Sequence, residues 1–470
     1  MKSRKVKKKM TKSAPKEAPK AKKMPSGKKI SEKTEEKPKK TPNIPVQEAF
    51  QRPKGTRDFF PIEMEKRRMS FESIRGIFHR YGYGEISTPA FESIELLMCK
   101  GSLGEEAVKD VYRFTDKSDR QLGLRYDPTT PIARIIASSP DIPKPIRWYY
   151  MTNMWRYEDT SAGRFREFWQ AGVELVGSSS IAADAEVLQI VIESLVATGL
   201  DEFTVRLNSR KCLDSIASKL KIKNPEQVFR IIDKLGRKEE RDVRDELKAA
   251  GMEPKRINEL LKMIRTDASK NRSLQGVREL EKIIELLDEK SRKFVKIDFS
   301  VVRGLDYYTG MVFETYVRGH ESLGSVASGG RYDTLIERYG GKPTPAVGAG
   351  IGIDRVIPVL EEKSAIRVPK KKIILVAPVN DDVVGISFDI ARNLRPKCGI
   401  VEMGFPEKSL SRLLEYAGKK NISFTVIVGP NDLKEGLVTL RDMASGDEKR
   451  VSLNLISDEI RDWERNKLFY

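Results

Sequence analysis

Apolar residues recur at helical spacing from Pro61 to Tyr81, and Pro61 stands where proline favours a helix start, so this stretch predicts an amphipathic helix. Short apolar-rich or alternating runs at Gly84 to Thr88, Leu122 to Tyr126, Trp148 to Arg156 and Phe168 to Val176 predict strands. Asp184 to Thr198 reads as a helix stopped at Gly199, and Phe203 to Leu207 as a further strand. Strands joined by loops, rather than alternating with helices, point to an antiparallel sheet.

From about Lys211 to Arg292 the period changes. Segments near Gln227 to Leu235, Glu239 to Ala250, Arg256 to Thr266 and Val277 to Glu289 predict a small helical block with a densely charged surface. Strand-like sequence resumes at Val295 and runs through Tyr316, so this block reads as an insertion within one sheet domain. After a connector, Arg367 to Lys371, the alternation is strand (Lys372 to Val379), helix (Asp382 to Leu394), strand (Ile400 to Met403), helix (Ser409 to Lys420) and strand (Ser423 to Val428). That order predicts a separate α/β domain on a mainly parallel sheet.

The expected class is therefore α+β. Residues 1–51 form a Lys-rich arm, 52–210 and 293–364 the sheet domain, 211–292 the helical insertion, and 370–470 the α/β domain. A chain of 470 residues has room for about three such units.

Charge changes the picture at one end only. Residues 1–50 hold 17 Lys or Arg against 5 Asp or Glu, a local +12 within a net +19. With few apolar anchors, this arm cannot offset the entropy of ordering and is expected to be disordered. It is either a solubilising tail or a polyanion-binding arm acting through counterion release. Its Lys- and Pro-rich composition lacks the apolar core of a secretory signal. No apolar run approaches the roughly 18 residues of a membrane helix; the best, Val187 to Leu200, is broken by Glu193. Cys99, Cys212 and Cys398 are far apart and odd in number, which argues against a disulfide framework or a Cys-type zinc site. The chain is expected in the cytoplasm, without a membrane partner.

Only His79 and His320 exist. His79 falls in a helical pattern with Phe71, Ile74, Ile77 and Phe78 and reads as packing or surface; His320 reads as loop structure. Chemistry must then rest on Arg, Glu, Asp, Tyr and backbone, with no metal ligands in the protein.

Three constellations offer it. Met154 to Gly177 holds two strands around a loop, Asp159 to Gly163, with Arg164 and Arg166 at its exit. Arg156 and Glu158 share one face of the first strand; Phe168, Gln170, Gly172 and Glu174 share one face of the second. An aromatic, an amide and a carboxylate in one row suit the floor of a polar pocket, or else a salt-bridged solvated face. RGLDYYTG, Arg303 to Gly310, places Arg303, Asp306, Tyr307 and Tyr308 at a Gly-containing bend that can clamp a small polar ligand or simply lead into a strand. SGGRYDTL, Ser328 to Leu335, permits close backbone approach to a ligand or a tight turn. GAGIG, Gly348 to Gly352, lacks the glycine spacing of a dinucleotide turn and reads as close packing, with a ligand-facing Arg355 at its end.

Together these segments resemble the histidyl-tRNA synthetases, a family of class II aminoacyl-tRNA synthetases, over about residues 52 to 466. PKGTRDFFP (Pro53 to Pro61) resembles the family's opening, and GEISTPAFE, with Pro89, its motif 1, which builds a dimer interface. Trp155-Arg156-Tyr157-Glu158 with the return strand resembles motif 2, and GAGIGIDRV with Arg355 motif 3. RGLDYY and GGRYD resemble the histidine-specific stretches, and LRYDPTTP (Leu124 to Pro131) the archaeal and eukaryotic substrate-binding turn.

The resemblance implies roles. Asp127, Thr129 and Gln170 would hold the α-ammonium of histidine; Glu174 and Tyr308 the imidazole nitrogens, with Tyr307 alongside. Arg156 would contact the α-phosphate of ATP, Glu158 and Phe168 the adenine, and Arg164 and Arg355 the outer phosphates. Arg303 would approach the carboxylate and α-phosphate, making it catalytic together with Arg156. Mg²⁺ would accompany ATP. The implied partners are tRNA(His), L-histidine, ATP and a second copy in a homodimer, the insertion meeting the tRNA acceptor arm and the C-terminal domain the anticodon. A catalytically silent synthetase-like regulator is the alternative, against which Arg156, Arg303 and Arg355 all persist; a non-catalytic RNA-binding protein is a third reading.

Overall fold

The computed structural model describes residues 50–99, 109–235, 238–302, 307–406 and 408–467. Nearly all of the predicted arm, and Arg303 and Asp306, lie outside them.

Helix Pro61–Arg80 begins where expected: Pro61 takes the first turn, and Glu63 Oε2 accepts from the Phe60 N–H at 2.7 Å. The strand Gly84–Glu85 (β1) follows. A small antiparallel sheet is made by Phe91–Ser93 (β2), Arg113–Thr115 (β3) and Gln121–Leu124 (β4). The large sheet then takes Ile146–Trp155 (β5), Glu167–Val176 (β6), Phe203–Ser209 (β7), Val295–Ile297 (β8), Met311–Val317 (β9), Ala327–Arg331 (β10) and Ala346–Gly352 (β11).

Its order is β1-β5-β6-β11-β10-β9-β7-β8. The interior pairings are antiparallel, as loop-joined strands require, but both end pairs, β1–β5 and β7–β8, are parallel. The sheet is therefore mixed. Two parallel neighbours need a crossover, and the helical stretch between β7 and β8 supplies it.

Alternation divides the sheet into two unlike faces. Val173, Leu175, Val347, Ala349, Ile351 and Phe313 join one hydrophobic cluster with Ile74 and Phe78 of the first helix, Val187 and Leu188 of helix Ile181–Ala197, and Val356 of helix Ile353–Glu362. Each buried Val, Leu, Ile or Phe among them contributes about 1.5–3 kcal/mol. The opposite face carries a second cluster, in which Ile132 and Ile136 of helix Thr129–Ser138 meet Tyr150, Met154 and Tyr332. The rest of that face is mainly glycine and polar side chains.

The C-terminal strands are Ile373–Pro378 (β12), Ile400–Met403 (β13), Phe424–Val428 (β14), Leu437–Asp442 (β15) and Glu448–Ser452 (β16), ordered β13-β12-β14-β15-β16. β12 pairs in parallel with both β13 and β14, whereas β14–β15 and β15–β16 are antiparallel. The mainly parallel sheet expected from sequence is thus half antiparallel, because the polar-rich β15–β16 hairpin carries little strand signal of its own.

Other boundaries shift. The expected run from Val295 to Tyr316 is two separate strands, β8 and β9, on either side of the segment that bears RGLDYYTG. Arg156 lies beyond the end of β5 rather than on it. Helix Thr129–Ser138 was hidden in sequence by Pro131, which is tolerated in a first turn.

Candidate active site

The polar face is floored by glycine. Gly348, Gly350 and Gly352 of β11 stand opposite Glu174, Gly172 and Gln170 of β6, while Gly330 and Ser328 of β10 flank Gly348 and Gly350 on the other side. GAGIG is therefore a central strand, neither a dinucleotide turn nor a loop. Its glycines keep one face bare so that backbone and long neighbouring side chains can approach. A Cβ at Gly172 would fall 2.3 Å from Tyr150 Oη, and one at Gly330 2.8 Å from the Tyr308 ring.

Glu174 stands at one end of this floor and is 1% exposed. Thr129 Oγ1 donates to its Oε1 at 2.6 Å, and Tyr332 Oη donates to its Oε2. Burial pushes the carboxyl up to about 7, against the lowering effect of those two hydroxyls. Asp127 is raised in the same sense by burial; its Oδ1 accepts from the Thr130 N–H at 2.7 Å, and the charge of Arg156 partly opposes the rise. Tyr150 and Tyr332 are held well above the ordinary phenol range, first by burial and then by the charge of Glu174. Tyr307 and Tyr308 pack against each other with centroids 4.3 Å apart, and both border the Tyr150–Tyr332 cluster.

The loop between β5 and β6 bears the cationic half. Arg156 Nε donates to the Tyr126 carbonyl at 3.1 Å, its guanidinium lies 5.1 Å from the Phe168 ring centroid, and Nη1 is 3.6 Å from Glu158 Oε1. Arg156 and Glu158 thus remain neighbours although neither is in a strand. Arg164 is exposed at the tip, where it and Ser161 exchange backbone hydrogen bonds. Arg355, in the first turn of its helix, reaches across: Nε donates to the Gly163 carbonyl at 3.0 Å and Nη1 to the Ser325 carbonyl at 2.6 Å.

The structure brings together Asp127, Thr129, Gln170, Glu174, Tyr307 and Tyr308 at one end, and Arg156, Glu158, Phe168 and Arg355 around the loop. Arg303 lies outside the described residues. Thr129, which the resemblance gives to the α-ammonium, also donates its hydroxyl hydrogen bond to Glu174. Tyr332 was missed within GGRYD, where the glycines drew the reading; a tyrosine two residues beyond a glycine pair that lines a pocket was the available signal. Glu314, 4% exposed on β9 and paired across from Ser328, accepts from Tyr316 Oη at 2.8 Å. Among the described residues no group of three or more His, Cys, Asp or Glu converges as a metal site.

A sheet antiparallel through its centre with a bare glycine floor, a cationic hairpin at one end and an arginine from the following helix define a class II aminoacyl-tRNA synthetase. The family model of histidyl-tRNA synthetase matches residues 55–356, and one described as an anticodon binding domain matches residues 374–463. The chain is 41% identical to the histidine–tRNA ligase of Pyrococcus furiosus, over 89% of this chain and 99% of that protein. It is 40% identical to that of Pyrococcus horikoshii, over 88% and 99%. A crystal structure of histidyl-tRNA synthetase from Nostoc sp. PCC 7120 superimposes with a TM-score of 0.71 at 29% identity, over 88% of this chain and 99% of that one. This chain belongs to the histidyl-tRNA synthetase family.

Proposed function

We infer that this chain is a histidine–tRNA ligase whose groove takes histidine at the Glu174 end and ATP along the arginine-bearing hairpin. The observation that carries this reading is Glu174 itself, a dry carboxylate already holding two hydroxyls beside a floor without side chains. A buried acceptor of that kind matches a ring N–H that no aliphatic amino acid possesses, and an analogue lacking it leaves polar groups unpaired, at a discrimination of about 10⁴. Tyr308 and Tyr307 would complete the imidazole pocket, and Asp127, Thr129 and Gln170 would face the α-ammonium.

A histidine carboxylate oxygen attacks the α-phosphorus, forming a P–O bond as pyrophosphate leaves. Two anions meet, so pre-aimed guanidiniums matter most. Arg156 would hold the α-phosphate, and Arg164 and Arg355 the outer phosphates, with Phe168 and Glu158 on the adenine. Arg303 is assigned the attack side by resemblance. The terminal ribose hydroxyl of tRNA then attacks the acyl carbon and AMP leaves. Mg²⁺ would accompany ATP, taking its oxygens mainly from the phosphates and from water and needing few from the protein. When bound, it would neutralise charge on the outer phosphates.

The helical insertion, residues 211–292, is assigned to the acceptor arm, and residues 370–470 to the anticodon. We assign a homodimer as well: Phe91 and Phe114 expose half-buried rings packed edge to face, 5.9 Å apart, beside the motif 1 segment. Arg125 links that segment to the site by donating to the Thr88 and Pro89 carbonyls at 2.5 and 3.1 Å and to the Asn153 carbonyl at 3.1 Å. Three cysteines spaced far apart along the chain suit a reducing cytoplasm, and no described helix is long and apolar enough to cross a membrane. Histidine-dependent exchange of pyrophosphate into ATP, followed by charging of tRNA(His), tests the reading; a chain that binds both substrates without exchange would be a silent regulator.

A further inference from the structure

The opening segment Gly55 to Phe59 makes four contacts that converge on the hairpin and on the residue before Arg355. Gly55 sits at φ +85° and its carbonyl accepts from the Arg166 N–H at 2.9 Å. Its missing side chain makes room for the Arg166 stem, whose Cγ would be 2.7 Å from a Cβ there. That stem carries its guanidinium to the Tyr157 ring, 4.0 Å from the centroid, and to the Glu158 carbonyl at 3.2 Å. The Arg57 guanidinium carbon sits over Phe165 of the hairpin, 3.5 Å from the ring centroid, while Nη2 donates to Asp354 Oδ1.

Asp354 is a buried junction. Oδ1 also accepts from Arg67 Nη2 at 2.6 Å, and Oδ2 accepts from the Trp169 N–H of β6 at 2.6 Å. Two guanidiniums share one carboxylate, and Arg67 Nε and Nη1 are buried without a hydrogen-bond partner among the described residues. Simple packing does not call for an excess buried cation. The Arg67 guanidinium is held instead over Phe59, 4.1 Å from the ring centroid, as Arg57 is over Phe165, so both cations tie the opening segment to Asp354 and the hairpin. Arg355, the next residue, then reaches over the outer side of the same hairpin to Gly163.

We propose that Gly55 to Phe59 is a brace for the nucleotide hairpin, with Arg57 a positioning residue that aligns Arg355 through Asp354 and the hairpin through Phe165. The proposal rests on the reading that hairpin and Arg355 receive ATP. Because it acts on one substrate only, it separates from a general structural role. The test is pyrophosphate exchange with the full chain, varying ATP at saturating histidine and then histidine at saturating ATP, for the unaltered protein, Arg57→Ala, Arg57→Lys and Phe165→Leu. Arg57→Ala is expected to raise KM for ATP at least about tenfold with KM for histidine within about twofold. Arg57→Lys keeps the charge beside Asp354 but not the stacked plane, so it should restore the melting temperature and only part of the ATP affinity. Phe165→Leu removes the stack alone, should raise KM for ATP by less, and decides the matter if Arg57→Ala does not fold. Equal rises in both KM values, or an unchanged KM for ATP in the folded variants, overturns the brace. Absence of exchange in the unaltered protein overturns the ligase reading instead.

Discussion

Gly348 and Glu174 are direct cross-strand partners, and a methyl group on Gly348 would stand 1.7 Å from Glu174 Oε2. The glycine exists so that the carboxylate can lie flat over β11. Gly348→Ala must therefore turn Glu174 away from Thr129 and Tyr332, whereas at Gly350 the nearest atom, Gln170 Oε1, would be 3.1 Å from the new Cβ and can give way. Gly348→Ala should raise KM for histidine at least about a hundredfold, and Gly350→Ala much less. Steady-state exchange kinetics on both variants checks the order; similar values would remove Glu174 from the histidine pocket.

Glu174 also predicts a pH-dependent trade of stability for function. Its carboxyl rises from 4.5 to about 7 on folding, so between those values the native state holds a proton that the unfolded chain has lost. Stability therefore falls as pH rises through that window, and the whole penalty, about 3 kcal/mol, applies above it. Glu174→Gln should raise the melting temperature at pH 8, with the gain fading towards pH 5, while histidine-dependent exchange is lost. Thermal melts across that range provide the measurement, and a gain independent of pH would contradict the assignment.

Tyr332 donates to Glu174, so Tyr332→Phe leaves a buried carboxylate short of one partner. Its acidity should weaken further, and KM for histidine should rise about ten- to hundredfold, the effect of losing one hydrogen bond to a charged group. KM for ATP should stay unchanged. A matched rise in both would mean a packing role only.

Arg156→Ala, and Arg303→Ala on the strength of resemblance, should each lower exchange at least about a hundredfold with folding intact, the usual effect of losing one preorganised donor to transition-state charge. Exchange near the unaltered rate in either would remove that residue from the chemistry.

For the Lys-rich arm, deleting residues 1–50 is expected to flatten the salt dependence of tRNA binding and to spare adenylate formation. Filter binding across a salt series is the check, and equal slopes would leave a solubilising tail.

Period and residue type alone disclosed most elements. Helix Pro61–Arg80, the β5–β6 pair and the strand–helix alternation of the last domain were legible because each buries one face and so writes its period into the chain. The row Phe168, Gln170, Gly172, Glu174 was legible for the same reason. What the residues could not specify was which row lies beside which. Only strand order sets Gly348 against Glu174, and only the crossover between β7 and β8 makes that end pair parallel. The contacts of Tyr332 and Asp354 were equally silent, since each depends on a partner more than 100 positions away. Local sequence determines the periodicity of each element, through short-range sterics and burial; the meeting of a carboxylate, two hydroxyls and a bare glycine is decided by packing, where desolvation and hydrogen-bond geometry act across the whole sheet.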